Sequence, residues 1–124
     1  LKITFDPEAK RVLENFEGKI ENPATQVKVV MQPDVLLKQL LVLCNGTFTD
    51  YSLGKDNYKV KGKIMNDDGI IEMTATIYKV DEDVNCVEFQ KKKGDVINFY
   101  QVVEEKFIAP IKSKTATTTE ETAQ

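Results

Sequence analysis

The side chains that the sequence lacks limit its chemistry. Its 124 residues contain no histidine, no tryptophan, two cysteines and a single arginine, Arg11. Without histidine, the chain has no imidazole to act as a general base or to ligate a metal ion. Because Arg11 stands alone, a cluster of guanidinium groups that grips a phosphate is also excluded. We therefore expect no catalytic residues, no metal site and no cofactor, and we interpret the chain as non-enzymatic.

The two cysteines fit neither a zinc site nor a disulfide framework, since both kinds of site need more ligands or more thiols. Cys44 follows a Leu-Val-Leu sequence, and Cys86 precedes Val-Glu-Phe. Cysteines in such apolar surroundings are typical of a protein core. We predict two buried free thiols, as found in proteins of a reducing compartment.

Charge and length set further limits. Lys plus Arg number 17 and Asp plus Glu number 20, for a formal net charge of −3. A nucleic-acid-binding domain usually carries a basic excess, so we expect no nucleic-acid partner. No apolar run approaches the roughly 20 residues of a membrane-spanning helix, so we expect no transmembrane segment. The length suits one domain, and because the chain opens on Leu1 we expect it to be part of a longer protein.

Helical periodicity appears first near the start of the chain. Asp6 is a suitable cap, and Pro7 fits the first helical position. Apolar residues then recur at helical spacing, at Ala9, Val12, Leu13, Phe16 and Ile20. We predict a capped helix over 6–20 and assign residues 1–25 to this helix and a linker.

Two further helices are predicted later in the chain. One spans 33–45 and stops at Asn45-Gly46, a typical helix-ending sequence. The other has Asp95 as its cap, and Pro110 is expected to end it. Its predicted apolar face comprises Val96, Phe99, Tyr100, Val103 and Phe107.

Strands account for most of the remaining chain. Alternating apolar residues predict strands at 26–31, 58–64, 70–80 and 85–91, with a weaker candidate at 47–52. The order of elements indicates an α+β fold of two layers, an antiparallel meander sheet with helices packed on one face. Residues 112–124 have almost no apolar content, so we predict a disordered, threonine-rich tail.

Six lysines are the candidate binding residues. Three of them alternate along the predicted strand 58–64, which points them to one face. The other three lie at the end of the predicted strand 85–91 and just before the following helix, where backbone amides and ammonium groups could meet at an anion. Rows of lysine also occur as solvated surface or as protection of a sheet edge, and both interpretations stay open. The candidates for binding an anionic lipid or a partner are Lys59, Lys61, Lys63, Lys91, Lys92 and Lys93.

Four segments, taken together, are similar to a known family. They are Asn57-Tyr58-Lys59-Val60-Lys61, Ile77-Tyr78-Lys79-Val80, Val87-Glu88-Phe89-Gln90-Lys91-Lys92-Lys93-Gly94-Asp95 and Phe99-Tyr100. In this order, within a series of strand, helix, strands and helix, they resemble the kinase-associated 1 domain. That domain lies at the C-terminus of many Ser/Thr protein kinases related to AMP-activated kinase. We accordingly expect residues 26–111 to form a kinase-associated 1-like domain.

The resemblance implies a non-catalytic regulatory module. Members of the family bind anionic phospholipid head groups, and several restrain their own kinase domain or dock regulatory subunits. The implied partners are thus a protein, either the kinase domain of the same chain or a regulatory subunit, and anionic membrane lipids. The implied location is cytoplasmic and peripheral to the membrane, and the six lysines are the contact residues. The chain departs from the family in charge, because residues 26–112 hold 12 lysines and no arginine against 13 acidic residues.

Two alternatives are left open. The chain could be a pure subunit-docking domain with no lipid role, which predicts an exposed apolar patch involving the helix 6–20. It could instead be a small ligand-binding α+β domain of another family, which requires a concave pocket with convergent polar groups. A pocket lined by Tyr58, Tyr78 or Tyr100 would favour that second alternative.

Overall fold

A single six-stranded sheet organises residues 3–114, the part of the chain that the computed structural model describes. The strands are β1 (Glu14–Asn15), β2 (Gln26–Val30), β3 (Asp50–Leu53), β4 (Lys59–Asn66), β5 (Gly69–Lys79) and β6 (Val84–Lys93). Across the sheet their order is β2-β6-β5-β4-β3, with all these neighbours antiparallel. The short β1 adds to β5 in parallel. The predicted antiparallel sheet is confirmed.

Two helices complete the α+β fold. Helix α1 spans Pro33–Thr47, and helix α2 spans Val96–Val102. The chain after α2 stays helical, through the π-helical segment Val103–Ile108 and a last stretch at 109–114. Buried residues of both helices join one hydrophobic cluster with the alternate residues of β2, β4, β5 and β6. Both helices therefore lie on the same face of the sheet, and the two-layer prediction is confirmed.

Strand β5 lies at the centre of this core. Every second residue of β5 is almost completely buried: Ile71, Met73, Ala75 and Ile77. The residues of α1 that pack in the same cluster are Leu36, Leu37, Leu40, Leu41 and Cys44. Burial of one such aliphatic side chain contributes about 1.5–3 kcal/mol, so this layer supplies much of the driving force for folding. Within residues 3–114, no helix is long and apolar enough to cross a membrane.

The end of α1 differs from the prediction. The helix continues through Gly46 to Thr47, so the expected stop at Asn45-Gly46 is wrong. The chain turns only at Phe48, whose backbone N–H donates to the Cys44 carbonyl at 2.9 Å. The Phe48 ring is buried, with its centroid 5.5 Å from that of Phe107. Burial of this ring determines the end of the helix, in place of the local glycine preference.

The last helix begins as predicted but does not end as predicted. Asp95 caps it, because its carboxylate accepts from the Asn98 N–H at 2.8 Å. Pro110 does not terminate the helix, which runs on to residue 114. Proline normally breaks a helix because its ring clashes with the carbonyl four residues earlier. Here the wider π-helical segment Val103–Ile108 precedes it and accommodates the ring, so that the next turn buries Ile111.

Two further expectations for this region need correction. Val96 and Tyr100 of the predicted apolar face are 46% and 42% exposed, whereas its other members, Phe99, Val103 and Phe107, are buried together with Asn98. The predicted tail was expected to begin at residue 112, yet residues 112–114 belong to the helix. The rest of the predicted tail, residues 115–124, lies outside the described residues.

The predicted helix over 6–20 is wrong. Asp6 caps only a single turn, and the chain then extends into β1, which pairs with β5. Of the five apolar residues at helical spacing only Phe16 is buried, whereas Ile20 is 86% exposed. Gly18 has φ +86°, a left-handed conformation that interrupts any helix. Burial of one aromatic ring and sheet pairing outweigh the weak local preference for a helix.

The segment 3–20, called the N-terminal segment below, is attached along one end of the sheet. Arg11 donates through Nη1 to the carbonyls of Gly54 and Asn57, the latter at 2.8 Å. Two backbone bonds of 2.8 Å follow, from the Val12 N–H to the Asp56 carbonyl and from the Phe16 N–H to the Lys79 carbonyl. The only arginine of the chain thus has a structural role.

We predict that alanine substitution at two glycines changes the free energy of unfolding in opposite directions. A Cβ at Gly62 would lie 2.5 Å from the Phe48 ring, whereas a Cβ at Gly46 in α1 would meet nothing within 4 Å. Gly62→Ala should lower the free energy of unfolding by about 1–3 kcal/mol through overpacking. Gly46→Ala should raise it by up to about 1 kcal/mol, because alanine is the better helix former. Urea unfolding of both variants measures this; an equal effect of the two substitutions would contradict the packing described here.

Candidate functional site

The face of the sheet opposite the helices is polar and mostly uncovered. Successive residues of a strand point to opposite faces, so the neighbours of the buried core residues point to this side. Over most of its area no helix or loop of residues 3–114 packs against it. We call this surface the open face; it comprises Asp50 and Ser52 of β3, Lys59, Lys61 and Lys63 of β4, Glu72, Thr74 and Thr76 of β5, and Glu88, Gln90, Lys92 and Lys93 of β6.

Three of the six predicted lysines meet around one concavity of the open face. Lys59 and Lys61 come from β4, and Lys92 comes from β6 on the other side of the central strand. The concavity has a volume of about 290 Å³, and its floor includes Thr74 of β5. Glu72 also lines it and places one carboxylate among the three ammonium groups. This is the densest grouping of the predicted residues.

Lys63 extends the same surface toward the edge strand. It lines a second concavity, of about 300 Å³, together with Lys61 and with Asp50 and Ser52 of β3. The two concavities share Lys61 and Glu72. Lys59, Lys61 and Lys63 therefore form a row along β4, as the alternation predicted.

The run Lys91-Lys92-Lys93 lies at the end of a strand and just before a helix, as predicted, although β6 includes all three lysines. Lys91 is in register with Met73 and Lys93 with Glu72, which leaves Lys92 as the extra residue of a β-bulge. Lys92 reaches the open face, whereas alternation from the buried Phe89 places Lys91 toward the helix side. Lys93, in register with Glu72, lies on the same side as Lys92, so Lys91 is separated from the other two. The strand is longer than predicted because β5 is long enough to pair with it throughout.

The lysines of the open face have no carboxylate partner close enough for an ion pair. Within residues 3–114, the ion pair between Lys28 and Glu21 is the only one with nitrogen and oxygen inside 4.0 Å. The Lys92 ammonium donates only to the Gln90 side chain, at 3.4 Å. Unpaired ammonium groups on one surface attract an external anion.

The N-terminal segment covers one end of this face. The Phe16 ring packs edge-on to Tyr78, with centroids 6.0 Å apart, and both contact the buried Cys86 in a small separate cluster. The Lys19 ammonium lies 4.5 Å from the centroid of the Tyr78 ring. A hydrogen bond with Tyr78 raises the pKa of Lys19 above its usual value. This end of the sheet is closed, and the accessible part is the lysine-bearing half.

A concavity lined by two of the named tyrosines does exist. It has a volume of about 250 Å³ and includes Tyr58, Tyr78, Glu14 and Lys59 in its lining. The Tyr58 hydroxyl, however, donates to the Asp34 carboxylate at 2.6 Å, so it is already engaged within the protein. The concavity is a gap between β1 and β4 beside β5, and Glu14, Lys59 and Thr76 contribute further polar groups to its lining.

Both thiols are free and buried, as predicted. Burial raises the pKa of Cys44 to about 12 and that of Cys86 to about 11, so neither forms a thiolate at neutral pH. In the described part of the chain, no group of three or more His, Cys, Asp or Glu side chains is placed to hold a metal ion.

Sequence reasoning did not include Glu72, Thr74 and Gln90 among the site residues. All three follow from the period of two along β5 and β6, once the helix side of each strand is known. No protein-family model matches the chain, and no curated protein is significantly similar to it. A function must therefore be inferred from the residues and their geometry.

We predict that Tyr58 makes stability depend on pH above pH 10. Burial, together with the hydrogen bond to Asp34, raises the pKa of Tyr58 to about 12 from an ordinary value of 10.0. The folded state thus favours the protonated phenol, and this contribution is complete below pH 10 and lost as the pH rises through 12. Tyr58→Phe should be about 1.5–3 kcal/mol less stable at pH 8, and the difference from wild type should shrink toward pH 12.

Denaturant unfolding between pH 8 and 12 measures this difference. Tyr100→Phe, at a half-exposed position, is the matched control and should show no such convergence. A difference between wild type and Tyr58→Phe that stays constant over the whole range would contradict the assignment.

Proposed function

We propose that the chain is a non-catalytic regulatory domain of a Ser/Thr protein kinase, of the kinase-associated 1 type. Its open face binds an anionic phospholipid surface, and the domain also contacts a protein partner, either the kinase domain of its own chain or a regulatory subunit. The observation that carries this proposal is the row of unpaired lysines on an uncovered sheet face.

The order of elements supports the family part of the proposal. From residue 26 onward the chain runs strand, helix, four strands and helix. This is the order on which the resemblance was based, and the four resembling segments lie on or beside β4, β5, β6 and α2. The N-terminal segment is an addition to that series.

Charge distribution supports the lipid part. The chain is acidic overall, with a net charge of −3, whereas lysines outnumber carboxylates on the open face, where the acidic residues are Asp50, Glu72 and Glu88. Each basic side chain close to an anionic leaflet contributes about 1 kcal/mol, so four lysines on one face are sufficient for reversible attachment. A partner that binds the same face would compete with the membrane, and a few kcal/mol of differential affinity would shift the population.

A specific observation favours a protein partner as the second contact. Val12 and Ile20 of the N-terminal segment are 67% and 86% exposed. Ile20 is an apolar side chain outside the lysine-bearing surface, where a protein could bind without displacing lipid, whereas Val12 borders that surface beside Lys59. The pure docking alternative expected such exposure in this part of the chain, although on a helix.

Vesicle co-sedimentation tests the lipid part. At about 0.1 M salt, the protein should bind vesicles that contain phosphatidylserine and not neutral vesicles. Lys61→Glu/Lys92→Glu should weaken that binding by at least about 2 kcal/mol, roughly 30-fold. Lys106→Glu/Lys112→Glu, which makes the same change of charge on the last helix, should retain most of the binding.

Equal losses in the two variants would show that net charge, and not the open face, controls attachment. Absence of wild-type binding to both kinds of vesicle would contradict the lipid part, leaving the protein-docking function as the better account.

A further inference from the structure

The row of lysines on the open face ends in a pair of exposed apolar side chains. Met65 of β4 and Ile70 of β5 face each other across the hairpin as Cα partners. They are 62% and 44% exposed. The preceding pair on the same face is Lys63 and Glu72, because side chains two residues apart point to the same side. An ammonium group, a carboxylate and an apolar pair are thus adjacent on one surface.

The end of this hairpin is fixed in place. The Asn66 and Asn98 side-chain amides donate to each other's oxygens at 2.9 and 3.0 Å, which joins the hairpin to the first turn of α2. Asn98 itself is only 3% exposed. Since the hairpin is held this way, Met65 and Ile70 do not fold back onto the core. Their exposure is a feature of the ordered structure.

We propose that Met65 and Ile70 insert into the interfacial region of an anionic bilayer while Lys61 and Lys63 contact its head groups. This inference rests on the proposed membrane function and names the part of the domain that enters the lipid. Electrostatic attraction alone gives weak and salt-sensitive attachment, and stable peripheral binding generally needs a second, apolar contribution. The open face supplies both on neighbouring residues.

A bilayer fits this surface better than a protein groove does. The apolar pair continues a row of like-charged lysines over three successive residues of one face, a pattern suited to a broad plane of negative head groups above acyl chains. A groove on a protein would need carboxylates spaced along the same row. We therefore assign the bilayer as the occupant, and docking to a protein becomes an outcome of the test.

The turn beyond the apolar pair carries two carboxylates. Asp67 and Asp68 follow Met65 by two and three residues, and they bring two carboxylates close to the membrane surface in the proposed orientation. Their repulsion should limit the affinity. Asp67→Asn/Asp68→Asn should therefore strengthen binding to phosphatidylserine vesicles by roughly fivefold or more.

Tryptophan fluorescence provides the direct test, because the chain contains no tryptophan. Ile70→Trp introduces a single reporter, and phosphatidylserine vesicles should shift its emission to shorter wavelength and allow quenching by brominated acyl chains. Val42→Trp is the control on α1, at a position that is 61% exposed on the helix side. Its emission should stay unchanged. Both variants are first compared with wild type by circular dichroism and urea unfolding.

A second pair of variants separates this inference from the proposed function. Met65→Ser/Ile70→Ser should lose at least tenfold in vesicle affinity, whereas Val35→Ser/Val42→Ser, with matching exposures of 45% and 61%, should not. Binding to a soluble polyanion, inositol hexakisphosphate, should be the same for both.

Retention of vesicle affinity by Met65→Ser/Ile70→Ser would overturn insertion and leave attachment by the lysines intact. If Lys61→Glu/Lys92→Glu bound phosphatidylserine vesicles as tightly as wild type, the proposed membrane function of the open face would itself be overturned. An Ile70→Trp emission that phosphatidylserine vesicles leave unchanged would overturn the bilayer as the occupant of this surface.

Discussion

Both helices cover the same face of one sheet, and the rest of the structure depends on this constraint. Strand β5 lies in the middle with neighbours on each side, so its alternate residues belong either to the core or to the opposite surface. The helices pack against Ile71, Met73, Ala75 and Ile77. The residues between them, Glu72, Thr74 and Thr76, point to the opposite surface and do not contact the helices. An exposed sheet face of this kind must be polar to avoid aggregation, and it is then available as a binding surface.

The open face is covered at one end and uncovered over the rest. One end is closed by the N-terminal segment through Phe16, Tyr78 and the backbone pairing of β1. Beyond the covered end, Lys59, Lys61 and Lys92 lie around one concavity, and Lys59 also borders the N-terminal segment. An overall acidic protein can therefore present a locally basic surface, because the positions of charges and not their sum determine what a face attracts.

Much of the fold could be predicted from the sequence, whereas the site could be predicted only in part. Period-two alternation located β4 and β5, and with them the row from Lys59 to Lys63, because one buried face imposes that pattern. The prediction of an N-terminal helix is wrong, since the same apolar spacing also suits an extended segment in which Phe16 alone is buried. The helix ends predicted at Gly46 and Pro110 are wrong, because Phe48 and Ile111 are held in the core. Such tertiary contacts leave no local signature in the sequence. The position of Lys92 depends on a β-bulge in the pairing of β6 with β5, which no single segment encodes.

The central claim is that the open face, and not the helix side, meets an anionic membrane. The most direct measurement is the amide NMR spectrum of the isotopically labelled protein with nanodiscs containing phosphatidylserine, compared with neutral nanodiscs. We expect selective broadening or shifts at Lys61, Thr74 and Met65, with the amides of α1 at Leu37 and Leu40 unaffected, and no changes with neutral discs. Changes concentrated on α1, or an identical response to both kinds of disc, would contradict the account.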